Sequence, residues 1–242
     1  MCSTVRHSVN PCADEQRGRQ LGVLAKYWLP GTVKTRLVPY CGPRHAAALH
    51  QLFLETTLRR FVSLADRQVL SFSPAQYRSS FAKMSENKWD LLPQQGGDLG
   101  ERIANYFQEA FSKRQKRVLL IGADTPHLPR GRIQQAFDAL KQHDLVFVVS
   151  EDGGYCLIGA SRPVDPLMVD IEWGSSRVWA QTKKKIDELN WSVCQLPSWY
   201  DIDRQEDIAR MLKDLATHDF LDCNSDDPYL ASLYDQTKKI CE

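Results

Sequence analysis

Residues Val118-Leu-Leu-Ile-Gly-Ala-Asp124-Thr-Pro-His-Leu-Pro129 constrain what this chain can fold into more than any other stretch. A short apolar run opened by a β-branched residue reads as a buried strand, and Gly122 ends it. Asp124 follows in a turn shaped by Pro126 and Pro129, and then Ile133, Ala136, Phe137 and Leu140 recur at helical spacing. Strand, acidic turn and helix in that order are parts of an α/β layer fold. In open sheets of this kind the ligand crevice lies outside the carboxyl ends of the strands. A carboxylate there serves either to hold a divalent cation on a phosphate or simply to cap the turn or helix behind it.

The same alternation runs through most of the chain. Strands are expected at 21–25, 68–72, 90–93, 118–121, 145–149, 156–158 and 191–196. Helices are expected from near Pro43, over 99–111, after Pro129, over 175–189 and over 203–215. The 99–111 segment carries Leu99, Ile103, Tyr106, Phe107, Ala110 and Phe111 on one stripe, a core-facing pattern. The domain is expected over residues 20–216, between a polar N-terminal arm (1–19) and a polar, loosely packed C-terminal tail (217–242).

With 242 residues, 43% hydrophobic and 25% charged, the chain has the make-up of one globular domain. A net charge of +1 offers nothing to attract nucleic acid or an acidic membrane surface. No apolar run approaches the ~20 residues that span a bilayer. Residues 1–19 lack an apolar signal core, so a cytoplasmic protein is expected. The seven cysteines are scattered without a CxxC pair, which reads as reduced thiols rather than disulfides or a zinc site.

Directly after the first strand stand Lys26, Gly31, Lys34, Thr35 and Arg36. Cations to neutralise oxygens and a glycine to let backbone N–H groups approach are what a phosphate chain needs. Val33 precedes Lys34, so this is not a Walker A loop. Three more polar clusters fall at strand ends. The first, Gln94 through Gly97, Asp98 and Gly100, could meet a nucleobase or ribose, or be a turn with Asp98 as N-cap. The second, Asp152, Gly153 and Gly154, fits a plain hairpin. The third, opened by Asp201 and Asp203, fits a capping box between Asp203 and Glu206, which does not exclude metal binding.

In order along the chain, AKYWLPGTVKTRL (25–37), GGDLGERI (96–103), LLIGADTPHLP (119–129), EDGGYCLIG (151–159), WGSSRV (173–178) and DIDRQEDI (201–208) form a set. That set resembles a family of small bacterial glycosyltransferase-like proteins with the nucleotide-diphospho-sugar transferase (GT-A) fold, of the type associated with arsenosugar biosynthesis. More distantly it is similar to molybdenum-cofactor and 2-phospholactate guanylyltransferases. The resemblance implies a three-layer α/β/α fold with a mixed, mostly parallel sheet. It further implies that Asp124 is a metal-binding aspartate and Asp203 a second acidic ligand, for Mg2+ or Mn2+. Lys26, Lys34 and Arg36 would bind phosphate, and Gly97 to Gly100 would contact the base. Asp152 to Gly154, with Trp173 and Ser175, would line the sugar or acceptor side. The chain departs from the family pattern at Tyr27-Trp28-Leu29 and Arg204-Gln205.

Together these features lead to the expectation of a metal-dependent glycosyltransferase that uses a nucleotide-diphosphate-sugar donor and a small-molecule acceptor. Asp124 would carry the cation, and Asp152 or Asp98 is the candidate base toward an acceptor hydroxyl. Two alternatives stand beside it: a nucleotidyltransferase that joins a nucleoside triphosphate to a phosphorylated small molecule and releases pyrophosphate, and a nucleotide-binding regulator without turnover.

Overall fold

The apolar runs of the sequence meet at the centre of one seven-stranded sheet. The computed structural model describes residues 18–217 and 227–241. The strands are β1 (Arg19–Lys26), β2 (Arg67–Ser73), β3 (Asp90–Pro93), β4 (Arg117–Gly122), β5 (Leu145–Ser150), β6 (Tyr155–Ala160) and β7 (Val193–Trp199). Their spatial order is β3-β2-β1-β4-β6-β5-β7. Every pairing is parallel except those of β6, which runs antiparallel to both β4 and β5. The sheet is thus mixed and mostly parallel, as expected.

Helices cover both faces. They are α1 (Val38–Phe61), α2 (Arg78–Met84), α3 (Leu99–Ser112), α4 (Arg130–Ala139), α5 (Asp165–Met168), α6 (Val178–Glu188), α7 (Gln205–Leu215) and α8 (Tyr229–Cys241). The pleat sends alternate residues to opposite faces. Leu119, Ile121, Val146 and Val148 therefore join a core with Leu54, Leu58 and Phe61 of α1 and Ile133 and Phe137 of α4. Val118, Leu120, Leu145 and Phe147 join another with Tyr106 and Phe107 of α3, Leu167 of α5 and Ile186 of α6. A third cluster packs α1 against α7 and α8 through Phe53, Met211, Leu230 and Leu233.

Several boundaries differ from the sequence reading. The long helix is kinked at Gly42 (φ 78, ψ 164), so its regular part starts at Pro43, where the helix was expected to begin. Helix α6 starts at Val178 rather than Ser175, and α7 at Gln205 rather than Asp203. Helix α2 was not expected. The C-terminal segment corrects the expectation of a loosely packed tail: Leu230, Leu233 and Thr237 are buried where α8 lies on α1. These three residues recur at 3.6-residue spacing among polar neighbours, so a single apolar stripe is enough to dock the helix. The N-terminal arm lies outside the described residues up to 17. Cys41, Cys156, Cys194 and Cys241 are free thiols.

This topology positions the site. Strand β1 has its sequence successor β2 on one side and β4 on the other, so the connections diverge between β1 and β4. A crevice forms at such a switch point, at the carboxyl ends. Lys26 ends β1 and Asp124 lies just beyond β4, side by side, because Leu24 pairs with Gly122.

Candidate functional site

Above that edge lies a cavity of about 470 Å³, within the usual size for small-ligand sites. It is lined by Lys26, Arg36, Gln94, Asp124, Asp152, Gly154, Trp173, Ser175 and Asp203 from the expected set. His50, Arg102, Tyr155 and Asp201 also line it. Segments more than a hundred residues apart in sequence thus converge on one face.

The loop after β1 turns at Gly31, whose φ of +79° suits a residue without Cβ. Lys26 sits at its base and donates from Nζ to the Thr32 carbonyl at 2.9 Å. Lys34 adopts a left-handed backbone (φ 46, ψ 43), which costs a residue with a Cβ roughly 1–2 kcal/mol. The conformation drives its ammonium inward. Nζ lies 2.6 Å from Asp124 Oδ1 and 3.0 Å from Asp203 Oδ1, and it donates to the Ile202 carbonyl at 2.5 Å. Burial works against the ammonium, but the Asp124 and Asp203 charges together outweigh it and raise the Lys34 pKa. Lys34 is therefore the counter-ion behind the cavity wall, joining the ends of β1, β4 and β7. Thr35 is exposed and does not line the cavity.

Asp124 has two unlike oxygens. Oδ1 is buried against Lys34 and lies 3.7 Å from His50 Nδ1. The side chain is nevertheless 43% exposed, so its accessible surface lies toward Oδ2 and the cavity. Burial pushes its pKa up, yet Lys34 and His50 overcome this and hold the carboxyl well below the ordinary carboxylate range. His50 Nε2 donates to the Lys26 carbonyl at 2.9 Å, which turns Nδ1 toward Asp124. No sequence signal marked His50, because it stands among the apolar residues of α1, away from every strand-end cluster.

Asp203 does not cap α7. Its Oδ1 faces Lys34 and its Oδ2 faces Arg36 Nη1 at 3.0 Å. The capping box is shifted by one residue: Arg204 is the N-cap, and Asp207, not Glu206, accepts from the Arg204 and Asp203 N–H groups at 2.7 and 3.0 Å. Asp201, passed over as a site residue, lies on the cavity wall, where Ser150 Oγ donates to it. Burial, reinforced by Asp124 and Asp152 against the Ser150 bond, pushes its pKa up to about 7.

The glycines of the expected loops play different parts. Asp98 caps α3, accepting from Glu101 N at 2.8 Å, and Glu101 reaches back to the Gly97 N–H at 2.6 Å. That N–H is therefore already taken within the loop. Gly100 is needed for packing, because a Cβ there would lie 2.6 Å from the Met168 carbonyl and 2.7 Å from Trp173 Nε1. Gly153 is needed in the same way, with the Ser176 carbonyl 2.1 Å from its would-be Cβ. Asp152 Oδ1 accepts from Gly154 N at 2.9 Å, closing the hairpin between β5 and β6. Loop 169–177 is thereby wedged between the Gly100 turn and this hairpin. Gln94 Nε2 donates to the carbonyls of Ala25 (3.0 Å) and Ser71 (2.8 Å), which fixes the orientation of the amide.

Among the described residues no group of three or more His, Cys, Asp or Glu is arranged to hold a metal ion. The single open carboxylate oxygen of Asp124 suits a different mode. Magnesium is commonly held by one or two carboxylates plus substrate phosphates. Asp203, with both oxygens engaged by cations, is less free for that role than Asp124.

A profile of the family described as "uncharacterized protein conserved in bacteria (DUF2064)" matches residues 57–175, from the end of α1 to the loop ahead of α6. No curated protein matches the sequence. A solved structure from Desulfovibrio desulfuricans G20, provisionally assigned as a nucleotide-diphospho-sugar transferase, is similar to this chain with a TM-score of 0.82. The two are 28% identical, over 93% of this chain and 96% of that one. A cytidylyltransferase from Leptospira borgpetersenii serovar Hardjo-bovis (strain JB197) aligns at TM-score 0.57 and 14% identity, over 93% and 96%. A 4-diphosphocytidyl-2C-methyl-D-erythritol synthase from Anaerococcus prevotii DSM 20548 aligns at 0.53 and 11%, over 81% and 96%. The last two share the fold. The chain has the α/β architecture of nucleotide-diphospho-sugar transferase structures, and no helix among its described residues is long and apolar enough to cross a membrane.

Proposed function

We propose that this protein is a glycosyltransferase that takes a sugar from a nucleotide-diphosphate donor and passes it to a small hydroxyl-bearing acceptor. One observation carries the choice of donor: two cations of the β1 loop are already matched by carboxylates, Lys34 by Asp124 and Asp203, Arg36 by Asp203. That leaves Lys26 and Arg102, which bond to backbone carbonyls, as the lining cations without a carboxylate partner among the described residues, fewer than a triphosphate calls for. A diphosphate diester asks for less, and one divalent cation meets it. The resemblance to the arsenosugar-associated proteins agrees with this reading.

In this site Mg2+ or Mn2+ carried on the diphosphate would sit at the open oxygen of Asp124 and neutralise charge on the departing nucleoside diphosphate. Lys34 holds Asp124 and Asp203 in register, and Arg36, more than half exposed, would turn from Asp203 to reach a phosphate oxygen. Gln94 Oε1 is left to receive a base N–H, because the amide nitrogen is committed to two carbonyls. Asp152, exposed at the hairpin tip, is the base toward the acceptor hydroxyl.

The rival reading is nucleotidyl transfer, favoured by the crowding of Lys26, Lys34 and Arg36 after β1. Product analysis separates them. Incubation with Mg2+, nucleotide sugars and nucleoside triphosphates, across a panel of hydroxyl and phosphorylated acceptors, should release nucleoside diphosphate. Pyrophosphate release would establish the rival instead.

A further inference from the structure

The C-terminal segment reaches the site from behind, through a charge pair that the reading above does not use. Arg60, in the last turn of α1, is fully buried, and its Nε lies 2.6 Å from Oδ2 of Asp227, whose side chain is 1% exposed. The same guanidinium donates from Nη1 to the carbonyl of Pro126, two residues past Asp124. One planar group therefore joins the start of the C-terminal segment to the turn that presents Asp124. Within the turn, Leu128 N–H meets the Thr125 carbonyl at 3.0 Å and the Asp124 carbonyl takes Ile202 N–H at 3.0 Å, while His127 and Leu128 are buried.

A buried ion pair is a poor device for stability, because apolar residues of equal volume usually do as well. What the fork of arginine supplies is direction, since its donors are fixed in one plane. Here that plane orients the Pro126 peptide. The apolar stripe of α8, Leu230 and Leu233, brings Asp227 to Arg60 independently of the charge.

We propose that Arg60 and Asp227 are positioning residues for Asp124: the segment leading into α8 sets the conformation of turn 124–129 through the Arg60 guanidinium. The functional half of this statement rests on the reading of Asp124 as a site carboxylate. The structural half does not.

Two full-length variants test it. Arg60→Lys keeps a charge for Asp227 but cannot also span to the Pro126 carbonyl. Arg60→Met/Asp227→Leu removes both charges and keeps an apolar seat for α8, so folding survives even if the lysine variant unfolds. Hydrogen exchange of the intact chain is read by mass spectrometry. Turn 124–129 should exchange about tenfold faster or more, while the amides of β4 and β5 stay within about twofold of the parent. Unchanged exchange in the turn overturns the proposal, and so does a parallel rise at every amide. Binding of Mg-ADP, Mg-CDP, Mg-GDP and Mg-UDP is measured by calorimetry on the same proteins. Whichever the parent binds should weaken by about tenfold, an amount that about 1.4 kcal/mol represents. Full affinity despite a loosened turn refutes the positioning role. If the parent binds none of the four, the functional reading falls, and the exchange result still decides the structural claim.

Discussion

At the scale of single residues the site is organised by one buried ammonium. Lys34 lies between Asp124 and Asp203, in the position where a cation would bridge them. Replacing it with Met should free both carboxylate oxygens. Mn2+ added without nucleotide should then bind measurably tighter than to the parent protein in electron paramagnetic resonance titrations. Equal Mn2+ affinity would show that the lysine does not hold that position. Asp124→Asn keeps the shape of the side chain and removes its charge. Nucleotide affinity should lose its dependence on Mg2+, with a stability loss of about 1–3 kcal/mol from weakening the partner of a buried ammonium. Calorimetry with and without Mg2+, beside thermal unfolding, checks both halves.

At the scale of elements, the strand ends and helix starts divide the labour. Asp207 and Asp203 are four residues apart, but one caps α7 and the other faces the cavity. Asp207→Ala should cost on the order of 1 kcal/mol of stability and leave nucleotide affinity nearly unchanged. Asp203→Asn should do the reverse, weakening phosphate-bearing ligands through Lys34 and Arg36 while sparing the helix. Denaturant unfolding and ligand titration on the pair would tell these apart, and an affinity loss for the Asp207 variant would count against the division. The capping box was legible in composition, since several acidic residues cluster at 201–207. Which of them caps was not, because α7 starts two residues later than its acidic cluster suggests, with Asp207 accepting from the Arg204 and Asp203 N–H groups while Asp203 is drawn to Lys34 and Arg36.

At the scale of the molecule, two buried groups give opposite pH dependences. His127 is buried beside Trp199 and Tyr200, and burial, with the Arg60 and Arg210 charges, lowers its pKa to about 3. The unfolded chain takes a proton near 6.5 that the folded chain refuses, so stability falls as pH drops below that value. Asp201 acts the other way. Its folded pKa of about 7 lies above the ordinary 3.8, so its contribution is whole below 3.8 and is lost as pH rises toward 7. His127→Phe should therefore flatten the acid side of the melting-temperature profile. Asp201→Asn should raise the melting temperature at about pH 8 and leave it nearly unchanged at about pH 4, each effect a few kcal/mol at most. A scan of melting temperature against pH on both variants measures this, and parallel profiles would refute it.

The strands, the main helices and the order of the loops follow from local pattern: apolar runs of strand length, a helical stripe at 99–111, glycine and proline at the breaks. The candidate residues at strand ends were legible for the same reason, because a parallel sheet brings all its carboxyl ends to one edge. What only the tertiary structure decided is pairing. The sequence placed Lys34 among phosphate ligands, and the fold turned it inward onto two carboxylates from segments ninety and more residues away. It assigned Gly97 and Gly100 to a base and left Asp201, His50 and α8 aside, since contacts across such distances leave no periodicity to read. Local pattern reports on which face a residue lies, whereas the partner it meets there is set by how the layers close.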